Sequence, residues 1–415
     1  MHLSALQIRA AGLSALVALL DGFDTQAIAY VAPSIVEAWH LNVAALGPVF
    51  AIGLLGLTIG AFTFSPLADR YGRKSVILVC VLTFSVFALL TARAQTLGEL
   101  EVYRLLTGFG LGGAMPNIIA LTSEHAPPTS RSTFVTAMFC GFPLGATLGG
   151  FVTAPLIHSH GWQSVFILGG LMPLMLWPAL LLLLPESVRT DEGAWVPDRR
   201  FPVFELFADG RAWRTTLVWV AFFMNLLVMY FLTSWLPSLL RTAGMPLSTA
   251  IWSTALLNLG GAAGGCSLGR LLDRRNPYLV LGTAYAGAAA CILAIASSES
   301  GPSLLIFALL AGFGVSGAQI GLNAVTAASY PTAMRATGIG WALGVGRVGS
   351  IVGPAAGGLL LGAGWSTHGL LLAAVAPAMV AAAAVFALGR VSTPAGCLAL
   401  DAFQRAAPES QADAE

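Results

Sequence analysis

The sequence predicts an all-α integral membrane protein with twelve transmembrane helices in two parallel six-helix halves. Three observations predict this fold class: the composition, a series of long apolar runs, and an internal repeat. Of the 415 residues, 57% are hydrophobic and 9% are charged, whereas a soluble domain has about 25% charged residues. The mean hydropathy of +0.81 agrees. This composition indicates a polytopic membrane protein.

Twelve apolar runs are long enough to cross a bilayer, which takes about 20 helical residues. They cover residues 10–36, 44–67, 75–94, 99–123, 131–157, 162–184, 213–238, 246–270, 277–297, 302–328, 333–361 and 368–390. The first run is too long for the apolar part of a cleavable signal peptide, and no small-residue cleavage site follows it. We therefore expect it to be the first span.

The distribution of basic residues predicts the orientation. With twelve spans, both termini lie on the same side, and that side carries sixteen of the twenty Lys and Arg residues. The opposite loops carry only Arg93 and Arg241, and Arg104 and Arg347 fall within spans. Because basic loops stay in the cytoplasm, we expect both termini to be cytoplasmic.

The second half of the chain repeats the first at a constant offset of 204 residues. Matching pairs include Pro33 and Pro237, "LADR" (67–70) and "LLDR" (271–274), and "TGFGLGGA" (107–114) and "AGFGVSGA" (311–318). Parallel six-span halves with a site near the membrane midplane between them are typical of secondary transporters.

The repeat also sets the predicted domain boundaries. We expect an N-terminal bundle at 1–190, a charged cytoplasmic linker at 191–210, a C-terminal bundle at 211–390 and a disordered cytoplasmic tail at 391–415. Glycines recur every four residues in spans 5 and 11, which allows close helix packing. We expect that packing to lie across the interface between the halves.

Four stretches carry a resemblance to a known family. "SPLADRYGRKS" (65–75) resembles the loop signature of the major facilitator superfamily, with Ser65 in place of the usual glycine, and "RLLTGFGLGG" (104–113) resembles its fourth-span signature. "LLDGFDTQAIAYVAP" and "YPTAMRATGIGWALGVGRVGSIVGP" resemble a narrower group, the aromatic acid:proton symporters. The resemblance implies import of benzoates, hydroxybenzoates or hydroxyphenylpropionates with protons, across a bacterial inner membrane, for catabolism.

Charges present in only one half are the candidates for cargo or proton binding, since the shared scaffold does not need them. Asp21 and Asp24 correspond to Asn225 and Val228 in the repeat. The two acids share one helical face, and ionisable groups inside a membrane are functional candidates. Two carboxylates so close favour protonation of at least one, so we predict a proton site. A structural ion pair at a helix kink is the alternative.

Arg347 is the predicted ligand of the substrate carboxylate. It lies about 20 Å into its span, at a depth similar to that of the two acids, and its guanidinium matches a carboxylate. The alternative is that Arg347 only neutralises Asp21 or Asp24.

The family resemblance adds further site residues. It implies transport roles for Arg104, predicted to lie at a shallower depth, and for Glu124, a proton-coupling candidate that could instead be an interfacial charge. Spans 1, 4, 7 and 10 line the cavity in the superfamily. Polar side chains on spans 7 and 10 are therefore predicted to bind substrate, namely Asn225, Tyr230, Gln319 and Asn323.

Charges that occur in both halves are predicted to form a cytoplasmic gate, with solvated loop charges as the alternative. The predicted gating residues are Asp69, Arg70, Arg131, Asp273 and Arg335, which belong to repeated pairs, together with Gly72 and Arg73 of the loop signature.

Other function classes are disfavoured by the sequence. It has no nucleophile–His–acid arrangement in a soluble segment, no metal-ligand spacing and no Walker motif, so we expect no enzyme activity, cofactor or metal. The expected partners are a small aromatic carboxylate, protons and the lipid bilayer, with no nucleic acid and no obligate protein partner. A transporter of another organic anion and a drug or metabolite efflux antiporter remain the alternatives, although Arg347 argues against cationic drugs.

Overall fold

The computed structural model describes residues 4–127, 131–186, 203–208, 210–272, 274–298, 301–331 and 334–391. These residues form thirteen α-helices. The helices are α1 (Ala5–Trp39), α2 (Leu46–Tyr71), α3 (Arg73–Thr91), α4 (Leu97–His125), α5 (Arg131–Phe139), α6 (Gly141–His160), α7 (Gln163–Leu183), α8 (Ala212–Thr242), α9 (Leu247–Leu272), α10 (Pro277–Ala296), α11 (Gly301–Ser329), α12 (Arg335–Gly362) and α13 (Thr367–Val391). The predicted linker is described only at 203–208 and 210, and the predicted tail only at 391.

The helices match the twelve predicted spans, with one span broken into two. The fifth predicted span is α5 and α6, which meet at Cys140. Pro143 has no N–H to donate to the carbonyl of Phe139, where α5 ends, and a missing donor interrupts the helical ladder. In the described residues, eleven segments are long and apolar enough to span a membrane. The remaining long helix, α9, has 26 residues and is rich in Ser, Thr and Gly.

Helix pairs related by the repeat pack alike in the two halves. Helix α2 packs on α4 as α9 packs on α11, and α1 packs on α6 as α8 packs on α12. Glycines allow the close packing of α2 on α4 and of α9 on α11. A Cβ added to Gly60 would lie 2.0 Å from the carbonyl oxygen of Phe109, and one added to its repeat partner Gly264 would lie 2.4 Å from that of Phe313. Each half thus has the same close-packed helix pair.

The glycines that recur every four residues in spans 5 and 11 pack within a half, so the expectation that they lie across the interface is wrong; they are Gly141, Gly145 and Gly149, and Gly349, Gly353 and Gly357. A Cβ on Gly145 of α6 would meet the carbonyl of Leu19 in α1, and one on Gly349 of α12 would meet the carbonyl of Phe223 in α8. The spacing of small residues allows close packing but does not identify the partner helix.

The two halves are closed against each other at the end of the bundle opposite the termini, which we call the outer end. There Arg241 of α8 pairs with Glu37 of α1, with 2.7 Å between Nε and Oε1. A Cβ added to Gly47 of α2 would lie 2.8 Å from the Cα of Gly358 in α12. At the other end, which we call the terminal end, the described ion pairs join residues of the same half.

Candidate functional site

A buried ion pair joins α1 to α4 in the N-terminal half. Nη1 of Arg104 lies 3.4 Å from Oδ2 of Asp24, and Nη2 donates to the backbone carbonyl of Asp24 at 3.2 Å. The guanidinium also lies over the ring of Phe166, 5.7 Å from its centroid. Arg104 is 3% exposed and Asp24 is fully buried. The charge of Arg104 is therefore balanced inside the protein.

The contact between Arg104 and Asp24 shows that the two residues lie at the same depth, whereas the sequence predicted Arg104 nearer the membrane surface than the acids. Helix α1 has 35 residues and is therefore about 52 Å long, well beyond the about 30 Å of a hydrocarbon core. Depth counted from the end of such a long helix is misleading. Arg104, in the second turn of α4, lies beside the middle of α1.

Asp21 lies one turn from Asp24 in a different environment. It is 2% exposed, and its Oδ1 accepts a hydrogen bond from Thr25 Oγ1 at 3.0 Å. In the described part of the chain it has no ion-pair partner within 4.0 Å. Arg347 lies close enough to act on it electrostatically. The two acids therefore have separate partners, an arginine for Asp24 and a hydroxyl for Asp21.

Arg347 extends from α12 toward α8. Its Nη1 donates to the hydroxyl of Tyr230 at 3.4 Å, and its side chain is half-buried. Gly346 and Gly349 bring the α12 backbone against α8, where an added Cβ would clash with Leu226 or Phe223. Among the described residues, no carboxylate lies within ion-pair distance of Arg347. This guanidinium has spare donors and an unbalanced charge beside the interface.

The other predicted polar residues form a second contact between α8 and α11. Asn225 Nδ2 donates to Gln319 Oε1, and Asn323 follows Gln319 by one helical turn. The Oδ1 atoms of Asn225 and Asn323 are buried and accept no hydrogen bond within the described residues. The structure thus brings Asn225 and Gln319 together, and it joins Tyr230 to Arg347.

A cavity lies between α1, α2, α4 and α8, on the inner side of the closed outer end. Its volume is about 30 Å³, which is enough for a water molecule and far below the about 300–1,000 Å³ of a small-molecule site, so binding of an aromatic acid would require the cavity to widen. Phe50, Leu54 and Leu57 provide apolar walls. Its polar lining comprises Thr25, Gln26, Arg104, Tyr230, Thr233 and Ser234. The rings of Phe50 and Trp235, with centroids 5.2 Å apart, pack edge to face at its outer side.

Sequence reasoning missed Gln26, Thr233 and Ser234 because they are uncharged. The repeat offered a signal, since Gln26 corresponds to Tyr230 and Tyr30 corresponds to Ser234. One predicted site residue, Tyr230, therefore identifies an equivalent cavity position on α1.

The predicted gating residues that the structure describes lie at the terminal end, away from this cavity. Arg73, the first residue of α3, pairs with Glu124 at the end of α4 and lies 3.9 Å from Asp69. Gly72 joins α2 to α3 with a φ of 89°, a conformation that glycine adopts without strain. Glu124 is twenty residues beyond Arg104 in the same helix, about 30 Å along its axis. The structure therefore groups Glu124 with the gate.

The remaining gating predictions are exposed or undescribed. Arg131 and Arg335 begin the repeat-related helices α5 and α12, and both are exposed. The Arg70 guanidinium lies 5.4 Å from the ring centroid of Tyr71. Asp273 lies outside the described residues. Within the described residues, no three His, Cys, Asp or Glu side chains form a metal-binding group.

Comparison with known proteins identifies the family. A family model described as Major Facilitator Superfamily matches residues 14–354. The chain belongs to the major facilitator superfamily. It is therefore a membrane transporter and not an enzyme, as the sequence predicted. A crystal structure of a bacterial homologue of the human lysosomal transporter Spinster, inward-facing and occupied, has the same fold, with a TM-score of 0.77 at 18% identity over 94% of this chain and 98% of that one.

Curated relatives match along nearly the whole chain. The gallate transporter of Pseudomonas putida is 41% identical over 412 residues, covering 92% of each protein. The 4-hydroxybenzoate transporter PcaK of Pseudomonas aeruginosa is 40% identical over 421 residues, covering 94% of each. The 3-(3-hydroxy-phenyl)propionate transporter of Escherichia coli is 41% identical over 381 residues, covering 91% of this chain and 93% of that protein. The predicted resemblance to aromatic acid transporters is confirmed.

Proposed function

We propose that this transporter imports an aromatic carboxylate together with protons across a bacterial inner membrane. Relatives named as transporters of gallate, 4-hydroxybenzoate and 3-(3-hydroxyphenyl)propionate, each about 40% identical, support this substrate class. The single observation that carries the proposal is that only one of the two arginines within the spans has an acidic partner. Arg104 is balanced by Asp24, whereas Arg347 has no acid partner among the described residues.

Arg347 binds the substrate carboxylate in this proposal. A guanidinium provides two parallel donors that match the two oxygens of a carboxylate, and it stays charged at any relevant pH. Tyr230 holds one donor nitrogen of Arg347 and itself lines the cavity between the halves. The aromatic ring then extends along the apolar walls formed by Phe50 and Leu54. A cationic drug would meet an unbalanced positive charge here, which disfavours the efflux antiporter alternative.

The proton is carried by the Asp21–Asp24 pair, with Asp21 as its first carrier. A buried charge is costly unless a partner balances it, and the Asp21 carboxyl has only the Thr25 hydroxyl as a described hydrogen-bond partner. The nearby Arg347 couples the two events. A substrate carboxylate that binds Arg347 neutralises the positive charge of this arginine. The Asp21 carboxylate then loses that electrostatic stabilisation and takes up a proton more readily.

Transport proceeds by alternating access of the site to the two sides. The excess of basic residues at the terminal end supports a cytoplasmic location for that end. The Glu37–Arg241 ion pair and the Gly47–Gly358 contact then close the periplasmic side. We assign the structure to the inward-facing state, and the Arg73–Asp69–Glu124 cluster to the cytoplasmic gate.

Substitution of Arg347 tests the proposal by binding alone. Arg347→Lys should bind benzoate-type acids nearly as poorly as Arg347→Ala, because an ammonium cannot reproduce the paired donors. A charge-assisted hydrogen bond contributes about 1.5–3 kcal/mol, or roughly ten- to hundredfold in affinity. Calorimetric titration of the purified proteins with benzoate and benzamide measures it. The amide should bind the wild type poorly and be little affected by either substitution.

The double variant Arg347→Ala/Asp21→Asn separates the two roles of Arg347, because Asp21 is the acid on which Arg347 acts, whereas Asp24 is paired with Arg104. If Arg347 only neutralises Asp21, the double variant leaves no unbalanced acid at position 21 and should recover carboxylate binding. Recovery would reject the carboxylate-ligand role, whereas continued failure would support it.

A further inference from the structure

We infer that Gln26 and Ser234 recognise a ring hydroxyl of the substrate and so select hydroxylated aromatic acids over unsubstituted ones. The inference rests on the proposed function and adds a chemical group that the site distinguishes. Gln26 lies on α1 in the N-terminal half, and Ser234 lies on α8 in the C-terminal half. Both line the cavity between the halves.

The two side chains are largely buried, but their polar atoms stay accessible and have no partner within the described residues. Gln26 is 5% exposed and Ser234 is 9% exposed. Within the described residues, neither side chain makes a hydrogen bond. Both residues line the cavity. Because their polar atoms are accessible and unpaired, the occupant of the cavity can complete their hydrogen bonds.

Other polar residues of the same cavity already have hydrogen-bond or ion-pair partners, unlike Gln26 and Ser234. Thr25 donates to Asp21, Thr233 donates to the carbonyl of Tyr230 at 3.4 Å, and Arg104 is paired with Asp24. Tyr230 already accepts from Arg347, whereas Gln26 and Ser234 make no side-chain hydrogen bond in the described part of the chain and so keep all of their donor and acceptor capacity. Their chemistry therefore differs from that of the carboxylate ligand.

A phenolic hydroxyl fits this pair of side chains. It donates one hydrogen bond and accepts others, so it can donate to Gln26 Oε1 while it accepts from Ser234 Oγ. Gln26 and Ser234 belong to opposite halves, so one hydroxyl bound by both would link α1 to α8. The repeat supports a cargo role, because Gln26 corresponds to Tyr230 and Ser234 to Tyr30. Neither the Gln26 amide nor the small Ser234 side chain thus occurs at the equivalent position of the other half.

Ligand selectivity of the purified wild-type protein is the first test, and it needs no variant to fold. Binding of benzoate, of the 2-, 3- and 4-hydroxybenzoates and of their methoxy counterparts is measured by calorimetric titration. We expect at least one hydroxybenzoate to bind about 2- to 10-fold more tightly than benzoate, as one net hydrogen bond allows. Its methoxy counterpart should lose that gain because it has no hydrogen to donate. Equal affinity for benzoate and every hydroxybenzoate would overturn the inference.

Variants assign the preference to the two residues. Gln26→Met and Ser234→Ala should each lower the affinity for the preferred hydroxybenzoate by about 2- to 10-fold, with little change for benzoate. Ser253→Ala is the matched control, because this buried serine of α9 bonds the carbonyl of Ala250 in its own helix, at 2.7 Å. It should change neither affinity.

The outcomes separate this inference from the proposed function. Parallel losses for benzoate and hydroxybenzoate in both variants would indicate a role in cavity shape and would overturn the hydroxyl-recognition role. A wild type that binds none of these acids would instead reject the proposed substrate class. Retained preference in both variants would show that other residues recognise the hydroxyl.

Discussion

Removing one member of the Asp24–Arg104 pair should destabilise the protein far more than removing both. The two side chains are 0% and 4% exposed, so neither remaining charge can be solvated by water when its partner is lost. Loss of one partner of a buried pair costs about 3–5 kcal/mol, whereas replacing both by apolar residues of similar size is often neutral. Arg104→Met and Asp24→Leu should each show that cost, and the double variant should approach the wild type.

The free energy of unfolding, measured by SDS titration in mixed micelles and followed by tryptophan fluorescence, tests this expectation. The coupling between the two substitutions should be at least about 3 kcal/mol. The Glu37–Arg241 pair is the matched control, because its side chains are 53% and 39% exposed and such pairs contribute about 0–1 kcal/mol. Additive losses in the Arg104→Met/Asp24→Leu double variant would refute the assignment of these residues as one balanced unit.

Three further predictions concern transport. Asp21→Asn should abolish accumulation driven by an imposed pH gradient in proteoliposomes, and normal accumulation would remove Asp21 from the proton role. Glu37→Arg and Arg241→Glu should each make a cysteine introduced at the outer end more reactive toward a membrane-impermeant thiol reagent. The double exchange should restore the low reactivity, and no such restoration would argue against a closing role for the pair. Asp69→Asn and Arg73→Ala should slow uptake while equilibrium binding stays nearly intact, because both lie at the terminal end; a large loss of affinity would place them near the cargo.

The helical fold could be predicted from the sequence because its signals are strong and local. Apolar runs gave the twelve spans, and the break at Cys140 was missed because Pro143 lies inside a continuous apolar run. The glycine pattern predicted close packing but gave the wrong partner helices. A small residue indicates that some backbone approaches closely, and only the tertiary structure shows that Gly145 meets α1.

The candidate site could be predicted where a charge marks it. Asp21, Asp24 and Arg347 stand out because a charge inside a membrane is costly. The sequence did not show that Arg104 is the partner of Asp24, since that contact depends on how far α1 extends beyond its predicted span. Gln26 and Ser234 carry no charge, and only their unpaired polar atoms on the cavity wall distinguish them from ordinary polar residues in helices.

Uptake into proteoliposomes tests the central claim most directly. The purified protein is reconstituted with an imposed pH gradient, acidic outside, and supplied with radiolabelled 4-hydroxybenzoate, benzoate or 3-(3-hydroxyphenyl)propionate. Protein-free liposomes control for diffusion of the neutral acids, and Arg347→Ala proteoliposomes control for the site. We expect at least one acid to accumulate beyond both controls, and a protonophore to abolish that accumulation. Undiminished accumulation after the gradient has collapsed, or uptake no greater than in protein-free liposomes for every acid, would contradict proton-coupled import of an aromatic carboxylate.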